Sequence, residues 1–363
     1  MPAHASLPVA ATRVDTIDTP CVIVDLDVVD RNIGRLQEYL SGHGIDNRPH
    51  IKTHKLPLLA HAQVAAGASG ITVQSIGEAE VMAAAGLDDI LITYDVMGDE
   101  KVRRLAQVAQ LARVRVALDN EVALEAVAAA ALLAERKIGV LIEFESGKLR
   151  QGVVTPEEAV ALAKVAAERP YLEFLGLLTY PNSGAVPAFV TRTRELLGEA
   201  GLELKVVSVG GTPLMWSTHV AGVATELRAG TYIYNDRNSM AAGAAALEDC
   251  ALHVHVTLVS KPTANRGVID AGSKTLTSDL FRADRGGGYG LILEYPDAKI
   301  TELSEEHGAV DFSECPRTPV IGERLRVVPN HVCPVSNLHD EVYLHRGGVL
   351  VATLPVAARG KTR

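Results

Sequence analysis

Disulfide spacing, a secretory leader, a membrane span and a basic surface are all missing from this sequence of 363 residues. Its four cysteines, Cys21, Cys250, Cys315 and Cys333, lie far apart and follow no framework pattern, which argues for a reducing, cytoplasmic compartment. The N-terminal stretch holds no basic patch followed by an apolar run of leader length. No stretch reaches the roughly 18 apolar residues that a membrane helix needs. Positive charge is also short. The 35 lysines and arginines against 44 acidic residues leave a net charge of −9, the wrong sign for nucleic acid or an anionic bilayer surface. No G-x-G-x-x-G follows the first apolar run, which weakens a dinucleotide-binding reading.

What is present is a rhythm. The composition, 47% hydrophobic and 22% charged, is that of a globular chain with room for one large and one smaller domain. From Cys21 to about Asp236, apolar runs such as "CVIVDL", "SGITV", "DILITYD", "RVRVALD", "IGVLIEF", "FLGLLTY", "KVVSVGG" and "TELRAGTYIY" alternate with alanine-rich helical stretches. The helical stretches open on Asp, Ser, Asn or Thr and close near Gly, as capping chemistry predicts. With "RPHIKT" as a further, polar strand, the count comes close to eight βα units. Near-continuous apolar strands alternating with helices mean a parallel sheet buried on both faces. Residues 20–243 therefore suit a (β/α)8 barrel, with a doubly wound sheet as the alternative. After residue 243 short strands and Gly/Pro turns take over, giving a β-rich domain of residues 244–363 that residues 1–19 are expected to join.

In a parallel barrel, chemistry collects where strands end. Lys52 ends "RPHIK", Gln74 ends "GITVQ", Arg150 follows "IEFESGKL", and Tyr180 ends "LGLLTY". Gly210, Gly211 and Thr212 follow "VVSV", and Tyr232 and Asp236 follow the last strand. A lysine at a barrel mouth can form a Schiff base once burial favours its neutral amine. Backbone N–H groups of a Gly-Gly-Thr turn can hold a phosphate. Together they suggest pyridoxal phosphate, although Gly-Gly-Thr is also an ordinary turn. His50, two residues before Lys52, would share its face in a strand and either touches the cofactor or is a satisfied core histidine. In "PNHVCP", an extended backbone would bring His331 and Cys333 to one face, where imidazole and thiolate make a soft pair suited to zinc. Packing is the blander reading of that pair.

The ordered set "TPCVIVDLDVVDRNI", "RPHIKTHK", "GITVQSIGEAE", "SVGGTP", "ELRAGTYIYND", "DAGSK" and "PNHVCPVSNL" resembles the D-serine dehydratase and D-threonine aldolase family of pyridoxal 5'-phosphate enzymes, with the alanine-racemase-like fold. The resemblance runs from about Thr19 to the C-terminal end. It implies that Lys52 binds the cofactor, that Lys55 is solvated or structural, and that Gly210–Thr212 belong to the phosphate site. It implies a divalent metal on His331 and Cys333: zinc, with manganese or magnesium as alternatives. Dehydratases of the family show H-x-C at the metal where the aldolases show H-x-D, so the chain leans to β-elimination of D-3-hydroxy amino acids, giving a 2-oxo acid and ammonia. Retro-aldol cleavage to glycine and an aldehyde is the alternative. A racemase would need an opposing tyrosine, and Tyr289 and Tyr343 sit in no matching motif. Non-enzymatic relatives that only bind the cofactor lack the second domain. The small D-amino acid substrate is the expected partner, with no nucleic acid or membrane, in a homodimer.

Overall fold

The computed structural model describes residues 12–282, 284 and 286–363. These fall into two units. One comprises the described residues up to Asp30, Tyr234–Asn238 and Leu247–Val356; the other comprises Arg31–Ile233, Ser239–Ala246 and Ala357–Arg363. Of residues 1–19, expected with the β domain, 1–11 lie outside the described residues.

The larger unit is a barrel of eight parallel strands: Asp46–Asn47, Ile71–Val73, Asp89–Ile92, Arg113–Leu118, Ile138–Glu143, Leu172–Thr179, Val206–Val209 and Glu226–Leu227. Each pairs with its sequence neighbours, except that the first pairs with the last. A parallel bridge from His50 to Thr72 joins the two remaining edges and closes the ring. The crossover helices begin as the sequence suggests. Ser75 accepts from Glu78 N–H, Asn120 accepts from Ala123 N–H, and Thr155 and Glu158 form a capping box.

Alternate strand residues fill the lumen in layers. Leu91, Ala117, Leu141 and Leu178 form an apolar layer. Two residues earlier on their strands stand Asp89 and Arg115, in a charged layer with Arg48 and Glu226. Arg48 is fully buried and lies 2.6 Å from both Asp89 and Glu226. Glu226 comes from the paired neighbouring strand, whereas Asp89 comes from a strand that Arg48's own does not pair with, a reach that only a shared interior allows. Buried guanidinium is tolerable because two carboxylates neutralise it; removing one partner of such a group typically costs about 3–5 kcal/mol.

Two strand assignments change. Cys21–Asp25 is not a barrel strand. It pairs antiparallel with Leu252–Ser260 and parallel with Glu341–Arg346 in the β unit, so the barrel starts after Asp30, later than residue 20. Its fully apolar, two-face-buried character fits a parallel strand, and one of its two neighbours is indeed parallel. "RPHIKT" follows the strand Asp46–Asn47 instead of forming one: within it His50 makes only the bridge to Thr72, and Ile51–Thr53 turn into a 3-10 helix.

The β unit is a mixed sheet ordered Lys299–Leu303, Gly308–Asp311, Arg266–Ile269, Leu252–Ser260, Cys21–Asp25, Glu341–Arg346, Val349–Pro355, with Arg324–Val328 also on Leu252–Ser260. Val14 packs with Cys21 and Ile23 in its core. Among the described residues no helix is long and apolar enough to cross a membrane.

Candidate active site

Lys52 sits in the Ile51–Thr53 turn where the first barrel strand ends. His50 caps that turn: its Nδ1 accepts from Lys52 N–H at 3.4 Å. Gln74 donates its amide to Thr93 O at 2.8 Å, so its carbonyl oxygen faces His50 Nε2 at 3.3 Å. Nε2 therefore carries the proton and the ring is neutral. Burial and the charges of Lys52 and Arg228 hold the His50 pKa well below 6.5. An uncharged ring here adds no second positive charge beside the lysine. His50 and Lys52 meet through a turn and not through the two-residue period of a strand. Lys55 is not solvated: it is buried against Glu78 at 3.2 Å.

The glycine pair follows the strand Val206–Val209, next to Tyr180. A Cβ on Gly211 would stand 2.8 Å from Tyr180 Cε2, and one on Gly210 would stand 3.2 Å from Tyr180 Cδ2. Only glycine lets the ring lie on this backbone. Thr212 opens the helical segment Thr212–Ala221, and its buried hydroxyl has no hydrogen-bond partner. A buried orphan hydroxyl beside bare backbone at a helical start fits an anion such as a phosphate. Arg150 reaches across the same end, with its guanidinium 5.4 Å from the Tyr180 ring and 3.2 Å from Glu143.

Two residues escaped the sequence reading. Arg228 donates to Ser208 Oγ at 2.8 Å and to Thr179 O at 2.9 Å, beside Gly210. Burial lowers its pKa to about 10 against the pull of Glu226 and Glu143, so it remains a cation at neutral pH. Glu143 is pushed up by burial and pulled back by Arg228 and Arg150. The one available signal was a charged residue on the inward parity of an apolar strand. Tyr232, after the last strand, is buried. Its hydroxyl accepts from Gln63 at 2.9 Å, Gln63 faces His54, and burial pushes the phenol to about 12.

In the β unit, His331 is the N-cap of the helix Val332–Leu338 and Cys333 lies in its first turn, so the pair is not in a strand. Asp236 accepts from Val332 N–H at 3.1 Å and steadies the helix start. His331 and Cys333 nevertheless meet. Burial lowers the imidazole pKa, but the hydrogen bond and charge of Cys333, then Asp279, raise it to about 9. Asp279 holds Nδ1 at 2.9 Å, the arrangement that orients a metal-binding imidazole through its other nitrogen. Among the described residues no group of three or more His, Cys, Asp or Glu side chains is arranged for a metal. The soft two-donor pair thus fits a cation that keeps other positions for water or substrate.

A closed (β/α)8 barrel with a lysine at its strand exits, together with a mixed β unit, is the alanine-racemase-like architecture. Residues 24–238 match "Alanine racemase, N-terminal domain", and residues 251–345 match "Putative serine dehydratase domain". The sequence is 34% identical to a D-threonine aldolase of Arthrobacter sp over 96% of this chain and 94% of that one. It is 34% identical to the D-threo-3-hydroxyaspartate dehydratase of Delftia sp. over 88% of this chain and 91% of that one. The crystal structure of a D-threonine aldolase from Filomicrobium marinum superposes with a TM-score of 0.88 at 31% identity, over 97% of this chain and 99% of that one. The chain belongs to the D-threonine aldolase and D-serine dehydratase family of pyridoxal-phosphate-dependent lyases.

Proposed function

We propose that this enzyme eliminates the β-hydroxyl of D-3-hydroxy amino acids, giving a 2-oxo acid and ammonia. The observation that carries the reading is the His331–Cys333 contact, an imidazole–thiol donor pair. For a D-threo-3-hydroxyaspartate dehydratase, a variant with a cysteine replaced by alanine is known in a metal-free form, which supports a metal role for a cysteine in that enzyme. Zinc suits the soft pair best, with manganese or magnesium as alternatives.

When bound, pyridoxal phosphate supplies an electron sink for charge at the substrate Cα, and the divalent cation supplies a Lewis acid for its β-oxygen. Lys52 would hold the cofactor, and once the substrate amine has displaced it, its free Nζ would be the base that takes the Cα proton of the D-isomer. Gly210, Gly211 and Thr212 would hold the phosphate. Tyr180 and Arg150 flank it, and Arg228 adds a fixed positive charge beside Gly210. His50 stays neutral through Gln74, so Lys52 is not crowded by another cation. His331 and Cys333 hold the metal, and Asp279 orients the imidazole. None of the four cysteines is in a disulfide, in keeping with action in the cytoplasm, and the family resemblance implies a homodimer.

Retro-aldol cleavage is the second reading, favoured by the 34% identity to the Arthrobacter aldolase along nearly the whole chain. D-serine, D-threonine and D-threo-3-hydroxyaspartate separate the two. Ammonia with pyruvate, 2-oxobutyrate or oxaloacetate is the expected outcome. Glycine with an aldehyde as the dominant products would reject elimination.

A further inference from the structure

The turn that carries Lys52 is tied to the far end of the chain. The Lys55 ammonium is buried, lies 3.2 Å from Glu78 Oε1 and donates to Ala358 O at 3.3 Å. Ala358 N–H donates back to Lys55 O at 3.2 Å. Further along, Ser75 donates its hydroxyl to Lys361 O at 2.6 Å, and Arg104 donates to Arg363 O at 2.9 Å. Gly77 leaves room for this segment, since a Cβ there would stand 2.7 Å from Arg363 O. Each of these bonds stays within the barrel unit.

The other oxygen of Glu78 faces inward. It accepts from Gln74 N–H at 2.7 Å, and the Gln74 side chain accepts from His50, which caps the Lys52 turn. Lys55 also closes that turn with its own N–H on Ile51 O at 2.8 Å, from a left-handed backbone at φ 56°. A continuous run of directional contacts therefore leads from Ala358 through Lys55, Glu78, Gln74 and His50 to Lys52. A buried ion pair is a poor way to add stability, because dehydrating both charges offsets their attraction. It is a good way to specify geometry, because the carboxylate accepts two bonds in fixed directions.

We propose that Lys55 and Glu78 are positioning residues for Lys52, and that Ala357–Arg363 is the strap that holds them in place. The inference rests on Lys52 being the cofactor lysine. Loss of the Lys55 charge leaves Glu78 to reorient, and the displacement passes through Gln74 to the His50 cap.

The test uses the holoenzyme and four variants: Lys55→Met, Lys55→Arg, Glu78→Gln and a chain lacking residues 357–363. Two quantities are read: the pH midpoint of the Lys52-linked cofactor absorbance, and kcat and KM separately. Circular dichroism checks that each variant folds. Lys55→Met is expected to lower kcat by about ten- to a hundred-fold with KM changed less than about two-fold, the mark of misplaced chemistry. The absorbance midpoint is expected to move as well, and Lys55→Arg to restore both. A folded Lys55→Met protein with unchanged midpoint and kcat overturns the proposal. Should that variant not fold, Glu78→Gln and the shortened chain decide on the same readouts. Lys52→Ala, run alongside, separates the two levels. If it keeps the absorbance, the cofactor assignment fails; if it loses it while Lys55→Met is unchanged, the positioning role alone fails.

Discussion

His50 and His331 occupy matching local positions and end up in opposite charge states. Each is the extended N-cap residue of a short helical turn, and each lies two residues before the side chain that matters, Lys52 or Cys333. His50 is buried beside Lys52 and Arg228, and its imidazole is driven well below 6.5. His331 is half exposed, meets Cys333 and Asp279, and is raised to about 9. Backbone geometry thus placed both rings, and their partners decided their chemistry. Neutral imidazole suits a site that must keep a lysine reactive. An imidazole among anionic groups suits a site that gathers a cation.

The comparison breaks most severely at the residues that the two turns present. Lys52→Ala is expected to lose roughly 10⁴-fold or more in kcat, together with the visible absorbance of the lysine-linked cofactor. An unchanged absorbance would move the cofactor to another lysine, Lys55 or Lys274 first. A single substitution made at both histidines sharpens the contrast. His331→Gln is expected to lose bound metal and about 10²-fold in activity while keeping the cofactor absorbance. His50→Gln is expected to keep the metal and stay within about ten-fold of the parent, because an amide can also accept from Lys52 N–H and bond to Gln74. Metal analysis and absorbance on both variants check this. Full activity in His331→Gln protein freed of metal would dismiss the cation role.

Thr212→Val tests the cradle alone. Removing a buried hydroxyl from a phosphate is worth about 1.5–3 kcal/mol, so cofactor affinity should weaken roughly ten-fold or more. Equilibrium titration of the apoenzyme measures it, and an unchanged affinity would exclude the hydroxyl from the phosphate site.

The smallest effect concerns protons. His54 is buried, and burial lowers its pKa to about 4, against 6.5 for the free side chain. Between those values the unfolded chain is protonated and the folded barrel is not. Stability from this group is therefore complete above pH 6.5 and falls with pH by about 1.4 kcal/mol per unit down to about 4. Denaturant titrations at pH 6.5, 5.5 and 4.5 should show that slope, and His54→Gln should reduce it. An unaltered slope would assign the acid sensitivity to other histidines. His253 and His255 of the β unit, pulled by burial to about 4 and about 3, would come first.

Much of this was legible in residue order. The strand and helix periods announced the barrel, because each period depends on neighbours within a few positions. Lys52, the Gly210–Gly211–Thr212 turn and the His331–Cys333 pair stood out because their chemistry is rare at such places. Cys21–Asp25 was misread because an apolar, doubly buried strand looks the same in either unit. His331–Cys333 was read as a strand because its spacing fits one, whereas Asp236 nearly a hundred residues earlier starts a helix there. Tyr232 was expected at the site because its distance from a strand end could be counted; its hydrogen bond with Gln63 could not be read that way.

The sequence by itself determined where strands, helices and reactive side chains fall, since those depend on local period, capping and residue type. Only the tertiary structure decided that His50 is neutral, that Lys55 is paired with Glu78 under residues 357–363, and that Arg228 stands beside Gly210. Those outcomes depend on which charges share a dry interior, and the groups concerned come from segments far apart in the chain.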